Sequence, residues 1–174
     1  MSQLVPLISQ AEIAETVAHL AQTLDQDYAD QSPVVVGVLK GAFVFLSDLI
    51  RQMQTPIARV ELIRLSSYGS AMTSSGEVKV LMDLAPELIT GQNVILVEDI
   101  VDTGRSTSKA LANLAACNPA SLKLCALLDK PSRRKVPVTI DYLGLTIPDK
   151  FIVGYGLDMD ERYRQLPGIF VVET

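Results

Sequence analysis

Residues 94–107 read VILVEDIVDTGRST and give the clearest indication of the fold. Its first four residues are aliphatic, which indicates a strand buried on both faces, as in sheets that helices cover on both sides. Glu98 and Asp99 follow at the end of this strand, and Gly104 then allows a turn into a helical pattern. A buried strand that leads through a turn into a helix is typical of an α/β domain.

The same alternation of strand and helix patterns extends in both directions. An N-terminal helix begins at the capping box formed by Ser9 and Glu12. We predict further helices over residues 41–53 and 106–117, and strands over residues 34–39, 59–66, 94–97, 122–128, 140–145, 151–155 and 169–172. These elements predict a mainly parallel, twisted sheet flanked by helices, with ligands bound beyond the carboxyl ends of the strands.

Composition and charge exclude several classes of protein. The 174 residues suffice for one domain and are 48% hydrophobic and 20% charged, which excludes disordered and collagen-like chains. The net charge of −5 makes nucleic acid an unexpected partner. The apolar residues 33–50 contain Lys40 near their middle, which argues against a membrane span.

Cysteine and histidine usage narrows the chemistry further. Cys117 and Cys125 are the only cysteines and lack CxxC spacing, so we interpret them as small core residues in a reducing compartment. His19 is the only histidine and lies off the apolar face of its helix, which removes Ser-His catalysis and multi-histidine metal sites. The first residues carry no basic cluster of a targeting signal. We therefore expect a cytoplasmic protein that does not bind membranes.

The turn after the buried strand suits a phosphate monoester. Free N–H groups around Gly104 and at the start of the next helix can form an anion-binding nest. The hydroxyls of Thr103, Ser106 and Thr107 can add hydrogen bonds to the same phosphate. Either of the last two side chains can also cap the helix.

The carboxylates before this turn suit a sugar. Glu98 and Asp99 can accept hydrogen bonds from ribose hydroxyls and can hold Mg²⁺. Carboxylates that only solvate a turn are the competing interpretation, but Asp102 makes three of them within five residues, more than a turn requires. A phosphate and a ribose could thus be bound side by side.

A long loop is predicted between residues 68 and 80, where small and polar residues show no periodicity. Loops of this length in compact domains are often functional lids. Composition alone leaves a lid and a plain connector equally open.

Residues 98–104 resemble the 5-phosphoribosyl 1-diphosphate (PRPP) binding motif of the type I phosphoribosyltransferases. Four more segments match that family in the same order: residues 39–41, 67–69, 127–130 and 148–158. The last segment resembles the members that act on 6-oxopurines. The resemblance implies a single domain over residues 1–174 with the type I phosphoribosyltransferase fold. It also implies a small hood built from the N-terminal and C-terminal segments and a flexible lid over residues 67–80.

The resemblance implies a purine salvage reaction that depends on Mg²⁺. The 5-phosphoribosyl group of PRPP is transferred to N9 of hypoxanthine, and of guanine, which gives IMP or GMP and releases pyrophosphate. Glu98 and Asp99 then serve the ribose hydroxyls and hold Mg²⁺, and Asp158 positions a second Mg²⁺. Asp102 lies beside N7 of the purine as general base or as stabiliser of the developing charge. The 5′-phosphate is held by Asp102, Thr103, Gly104, Arg105, Ser106 and Thr107.

The resemblance also assigns the purine contacts. Lys130 donates to O6 of the purine, Phe151 stacks on the ring, the main chain of Ile152 reads its edge, and Asp158 lies near the base. On sequence pattern alone, Lys130 would be a solvated lysine that opens the charged run 130–135, and Phe151 would be a core residue. Arg133, Arg134 and Lys135 keep the interpretation of solvated residues.

The remaining matched positions imply the pyrophosphate site and the lid. Lys40 and Gly41 offer main-chain N–H groups to pyrophosphate, and Arg164 offers a guanidinium fork. Family members often have a cis peptide bond at the position of Leu39–Lys40. Ser67 and Tyr68 begin the lid, which closes over the reactants and keeps water from the cationic ribose.

Two other functions compete with this assignment. Arg105 stands where close purine enzymes often carry Lys or an aliphatic residue, and Arg is also common in pyrimidine-operon regulators that share the fold and bind RNA. Such regulators usually lack an acid at the position of Asp102 and the purine pocket of Lys130 and Phe151. A phosphoribosyltransferase for xanthine or for a pyrimidine is the other alternative.

The family habit is a homodimer or a homotetramer. The helix predicted over residues 41–53 has more apolar surface than one face of a sheet requires. We therefore expect this chain to form a homo-oligomer.

Overall fold

The structure is a computed structural model that describes residues 3–67, 78–80 and 84–173. Within these residues lie the strands β1 (Gln3–Ile8), β2 (Val34–Leu39), β3 (Arg59–Ser67), β4 (Val78–Val80), β5 (Asn93–Val101), β6 (Ser121–Asp129), β7 (Tyr142–Thr146), β8 (Ile152–Val153) and β9 (Ile169–Glu173). The helices are α1 (Gln10–Asp27), α2 (Phe43–Gln52) and α3 (Arg105–Ala115). Two short 3₁₀ turns cover Pro86–Leu88 and Pro131–Arg133.

Strands β2 to β7 form one sheet in the order β4-β3-β2-β5-β6-β7. The strands from β3 to β7 in this order run parallel, and β4 pairs antiparallel with β3. The chain leaves β3 on one side of β2 and returns as β5 on the other side, so the strand order reverses between β2 and β5. Ligands of open α/β sheets bind at such a reversal. The prediction of a mainly parallel sheet is confirmed.

Helices cover both faces of this sheet. Helices α1 and α2 pack together over one face, and α3 packs over the other. Strand β5 contacts both layers, because Ile95 and Val97 belong to the core under α1 and α2, whereas Val94 and Leu96 belong to the core under α3. This confirms that the strand is buried on both faces.

Helix α1 begins with the predicted capping box. Glu12 N donates to Ser9 Oγ at 3.2 Å, and Ser9 N donates to Glu12 Oε2 at 2.8 Å. The apolar stripe of the helix, including Ile13 and Val17, is buried. His19 is exposed, as its position off the stripe predicted.

The N-terminal and C-terminal segments meet in a second, antiparallel sheet of order β1-β9-β8. Strand β1 was not predicted, because Pro6 interrupts its short apolar pattern. Proline is tolerated there because β1 is an edge strand and needs hydrogen bonds on one side only. This small sheet is built from the segments in which the resemblance implies a hood.

The predicted boundaries of several elements differ from those observed. Strand β5 extends past its predicted end at Val97, because its pairing with β6 continues as far as Val101 and Asp129. Helix α2 begins at Phe43, two residues after its predicted start, and helix α3 begins at Arg105, one residue before its predicted start. The extension of β5 matters most, since it brings the predicted acidic residues into the sheet.

None of the described helices is long and apolar enough to cross a bilayer. Cys117 and Cys125 are free thiols. Cys125 is buried, which raises the pKa of its thiol to about 12, and Cys117 is partly buried. Both agree with the predicted role of small packing residues.

Leu96→Ala tests how far the fold depends on the strand that packs on both faces. Leu96 is fully buried. Its truncation should lower the free energy of unfolding by about 2 to 5 kcal/mol, because burial is lost and a cavity remains. Leu143→Ala in β7 is the control, since Leu143 is 38% exposed, and it should cost less than about 1 kcal/mol. Urea unfolding followed by circular dichroism measures both, and equal losses would contradict the central role of β5.

Candidate active site

Four parallel strands end at the same edge of the large sheet, and residues singled out by the sequence lie there. Lys40 follows β2, Ser67 ends β3, Asp102 follows β5 and Lys130 follows β6. A cavity of about 230 Å³ opens at the ends of β2, β3 and β5. Its lining includes Glu98, Asp99, Asp102, Thr103, Ser106 and Thr107.

Glu98 is buried inside β5, so the expectation that it follows the end of the strand is wrong. The strand continues because Glu98 pairs with Ala126 of β6. Only 4% of Glu98 is exposed, and its carboxylate accepts a hydrogen bond from Thr107 Oγ1 at 3.2 Å. Burial raises the pKa of Glu98 well above its ordinary value, and the neighbouring charge of Asp99 raises it further.

Asp99 also lies within β5 and faces the turn that follows β2. Burial raises the pKa of its carboxyl to about 6, although a hydrogen bond from Ile100 N at 2.9 Å and the charge of Arg164 both lower it. A Cβ on Gly41 would overlap the Asp99 carboxylate. The turn after β2 therefore approaches β5 as closely as only a glycine allows.

The β5–α3 turn, defined as residues 102–104, depends on Gly104. Its φ of 81° lies in the left-handed region that favours glycine. A Cβ at this position would overlap the main-chain oxygen of Val136. The turn is thus packed against the segment that follows β6.

Helix α3 begins directly after this turn and has no side-chain cap. The prediction that Ser106 or Thr107 caps the helix is wrong, because Gly104 occupies the cap position and the Thr107 hydroxyl bonds to a carboxylate of β5. Arg105 N makes one long contact, 3.4 Å to Thr103 Oγ1. The start of α3 therefore keeps N–H donors that an anion could bind.

Asp102 presents a carboxylate oxygen that has no hydrogen bond. Arg133 Nε lies 3.3 Å from Asp102 Oδ1, and Arg133 Nη1 lies 3.7 Å from Asp149 Oδ1. The Arg133 N–H is not aimed at Asp102, since the buried Oδ1 has no hydrogen-bond partner among the described residues. Arg133 covers this oxygen, but the Asp102 side chain is 41% exposed, so the rest of the carboxylate can still accept from a ligand.

Lys130 is only 6% exposed, so its interpretation as a solvated lysine is wrong. Its Nζ donates to the main-chain oxygen of Lys150 at 2.7 Å, which fixes the ammonium beside the segment that carries Phe151. Phe151 is 57% exposed, so it is not a core residue, whereas Ile152 is buried in β8. A buried ammonium and an exposed ring on adjoining segments can bind a flat polar ring.

A second group of charges lies beside the turn after β2. Arg164 Nη2 lies 2.8 Å from Asp158 Oδ1. Glu161 Oε2 accepts hydrogen bonds from Lys40 Nζ at 2.8 Å and from Arg164 Nη2 at 3.3 Å. Two cations thus converge on Glu161, a residue that the sequence pattern did not single out. An anionic ligand could replace the Glu161 carboxylate as the partner of these cations.

Two arginines of the run 130–135 reach the site, but only Arg134 departs from its interpretation as solvated, since Arg133 and Lys135 are exposed. Arg133 lies against Asp102. The side chain of Arg134 is only 18% exposed, pairs with Asp129 and donates to main-chain oxygens at the β5–α3 turn. Spacing could not reveal this, because a charged run looks alike whether it folds over a turn or faces water.

The predicted lid lies mostly outside the described residues. Ser67 is the last residue of β3, and Tyr68 lies outside the described residues.

The Leu39–Lys40 peptide bond, at the end of β2, is cis.

Known proteins resemble this chain in both sequence and fold. A sequence profile of the family described as "Phosphoribosyl transferase domain" matches residues 8–160. The chain belongs to the phosphoribosyltransferase family.

Relatives within the phosphoribosyltransferase family match nearly the whole chain. It is 45% identical over 163 residues to the hypoxanthine phosphoribosyltransferase of Salmonella typhimurium, covering 92% of this chain and 90% of the relative. It is 44% identical over 168 residues to the hypoxanthine-guanine phosphoribosyltransferase of Aquifex aeolicus, covering 96% and 93%.

A solved structure confirms the expected phosphoribosyltransferase fold. The crystal structure of a hypoxanthine-guanine phosphoribosyltransferase from Bacillus anthracis matches with a TM-score of 0.88 at 45% identity, covering 96% of this chain and 97% of that one. The five parallel strands and their flanking helices are therefore a shared framework.

Asp99→Asn tests the electrostatic cost of this phosphoribosyltransferase site. The pKa of Asp99 is about 6 in the fold, above the ordinary value, so the native state holds the proton more tightly than the unfolded chain does. Stability is thus lost as the pH rises through about 6, and the ionised carboxylate destabilises the fold above it. The variant should be more stable than the unmodified protein by up to about 3 kcal/mol near pH 8, and the gain should vanish near pH 4.

Urea unfolding at the two pH values measures this difference. Glu87→Gln at an exposed position is the control and should give no gain that depends on pH. A loss of stability at the higher pH in Asp99→Asn would contradict the argument.

Proposed function

We propose that this phosphoribosyltransferase serves purine salvage by transferring the 5-phosphoribosyl group of PRPP to N9 of hypoxanthine, and of guanine. The products are IMP or GMP and pyrophosphate. One observation carries the proposal: at the ends of β2 and β5, a helix start without a side-chain cap lies beside the buried carboxylate of Glu98 and the half-buried carboxylate of Asp99. The names of the matched relatives support the choice of base.

The phosphate and the ribose use neighbouring parts of the cavity. The 5′-phosphate accepts hydrogen bonds from the N–H groups of the β5–α3 turn and of the first turn of α3, where the helix dipole also favours an anion. Thr103 and Ser106 line the same cavity and add hydroxyl donors. The ribose hydroxyls donate to Glu98 and Asp99, which stabilises carboxylates whose pKa values are raised by burial.

The same groups favour breakage of the anomeric bond. Departure of pyrophosphate leaves positive charge on the ribose, and carboxylates fixed beside it stabilise that charge. The purine loses a proton as its N9 attacks. The Asp102 carboxylate lies at the cavity with 41% of its side chain exposed, so it can accept that proton at N7.

Lys130 selects a 6-oxopurine. Its ammonium has three donors and gives one to Lys150, so another can meet the oxygen at C6 of the base. The amino group of adenine would place a donor against this donor and would be rejected. Phe151, being exposed, can stack on the ring, and the main chain of Ile152 can read its edge.

Mg²⁺ fits the carboxylates of the site. The charge of Asp158 raises the pKa of Asp99, a repulsion that a divalent cation relieves. Glu98 and Asp99 would hold one ion, and Asp158 would position a second. In the described ranges, no three His, Cys, Asp or Glu side chains form a metal site by themselves, so PRPP oxygens would complete the coordination. Mg²⁺ supplies positive charge that stabilises the leaving pyrophosphate.

Pyrophosphate itself binds beside the turn after β2. Lys40 and Arg164 already converge on the carboxylate of Glu161 and can transfer their hydrogen bonds to pyrophosphate oxygens. The main-chain N–H of Gly41 adds a neutral donor at the same turn.

A homodimer or homotetramer is the assembly we infer. Phe43 at the start of α2 is 47% exposed, and a cavity of about 750 Å³ lies between α1, α2 and residues 155–167. Apolar surface of this kind is typical of an interface.

We place the reaction in the cytoplasm, since both cysteines are free thiols.

A spectrophotometric assay tests the proposed reaction directly. The protein is incubated with PRPP and Mg²⁺ and one of five bases: hypoxanthine, guanine, xanthine, adenine or uracil. We expect formation of IMP and GMP that EDTA abolishes. Turnover restricted to xanthine or uracil would reassign the base. No turnover with retained PRPP binding would favour an RNA-binding regulator.

Asp102→Asn tests the proton acceptor. The amide keeps the shape of the side chain but cannot take the proton, so turnover should fall about 100-fold or more. PRPP binding should be nearly unchanged. Steady-state kinetics and calorimetric titration with PRPP measure the two effects, and an equal loss of both would refute the assigned role.

A further inference from the structure

The segment after β6 holds the β5–α3 turn from behind. Its main chain contributes three hydrogen bonds: Lys130 N to Val101 O at 3.0 Å, and Lys135 N and Val136 N to Thr103 O at 2.9 and 3.0 Å.

Arg134 completes this contact with its side chain. Its Nε donates to Asp102 O at 3.0 Å, and its Nη2 donates to Val101 O at 3.1 Å. The three successive carbonyl groups of residues 101, 102 and 103 therefore all point to residues 130–136.

This arrangement aims the next three N–H groups at the cavity. In a trans peptide, the carbonyl and the following N–H point in opposite directions. The N–H groups of Asp102, Thr103 and Gly104 consequently point away from residues 130–136. Within the described part of the chain they donate no hydrogen bond, and all three residues line the cavity. A flipped carbonyl would instead face the phosphate and repel it.

Arg134 suits this task better than any other cation. Its planar fork can serve two carbonyl oxygens at once, which the single ammonium of a lysine cannot do in the same geometry. Asp129 pairs with the guanidinium and fixes its position. Arg134 does not line the cavity, so any effect on a ligand passes through the turn.

We propose that Arg134 is a positioning residue that orients the β5–α3 turn for the 5′-phosphate. This inference rests on the proposed function, because it presumes that a phosphorylated ribose occupies the cavity. It concerns one part of the substrate only. Loss of Arg134 should weaken binding of the 5′-phosphate. Binding of pyrophosphate and of the base should stay unchanged.

Arg134→Ala and Arg134→Lys test the proposal by titration calorimetry with ribose 5-phosphate and with pyrophosphate. Both variants should bind ribose 5-phosphate about 10- to 100-fold more weakly, since charge-assisted hydrogen bonds are lost. Their affinity for pyrophosphate should stay within about twofold of that of the unmodified protein. In the assay, KM for PRPP should rise more than kcat falls, as expected for lost uniform binding.

Arg59→Ala is the matched control. Arg59 begins β3 at the opposite edge of the sheet and is half exposed, so both ligands should bind as in the unmodified protein. Added guanidinium at millimolar concentration should restore ribose 5-phosphate binding to Arg134→Ala, which a loss of folding would not allow. Arg134→Lys keeps a partner for Asp129 and decides the matter if the alanine variant does not fold.

The outcomes separate the two proposals. If the unmodified protein neither binds ribose 5-phosphate nor turns over PRPP, the proposed function fails and the role of Arg134 fails with it. Two results with an active unmodified protein would overturn only the positioning role. In the first, Arg134→Lys binds ribose 5-phosphate as tightly as the unmodified protein does. In the second, Arg134→Lys loses affinity for pyrophosphate as much as for ribose 5-phosphate.

Discussion

The pairing of β5 with β2 on one side and with β6 on the other is the constraint on which the site depends. This strand fills both hydrophobic cores with its first half and carries Glu98 and Asp99 in its second half. The main-chain hydrogen bonds hold the second half in the sheet, so Glu98 is buried and Asp99 half-buried with it. Their position is therefore as rigid as the core itself, which is what a site for a cationic transition state requires.

Such rigidity has an electrostatic cost. Glu98 and Asp99 have raised pKa values because loss of solvent disfavours their charged forms, and Asp102 Oδ1 and Arg164 Nε are buried without hydrogen bonds among the described residues. Groups of this kind destabilise a fold unless something else binds them, and they concentrate where proteins bind ligands. The proposed substrate would satisfy them with hydroxyl groups, a proton and phosphate oxygens.

The segment of residues 130–136 joins the two halves of the site. Its first residue, Lys130, is fixed to the segment that carries Phe151, and Arg134 is fixed to the β5–α3 turn. Asp129, at the end of β6, pairs with Arg134 and lies directly before Lys130. The proposed purine and phosphate contacts are therefore held at a defined separation by one short stretch of chain, which favours the alignment of the two reactants.

Patterns of neighbouring residues were enough to predict several features of this protein. Aliphatic runs specified the parallel strands, Ser9 and Glu12 specified the start of α1, and the order of motifs specified the family. Four other features became visible only in the folded chain: how far β5 extends, the pairing of β1 with β9, the burial of Lys130 beside an exposed Phe151, and the contacts of Arg134 with main-chain oxygens. These features depend on pairing and packing between residues far apart in the chain, and a pattern of neighbouring residues carries no record of such contacts.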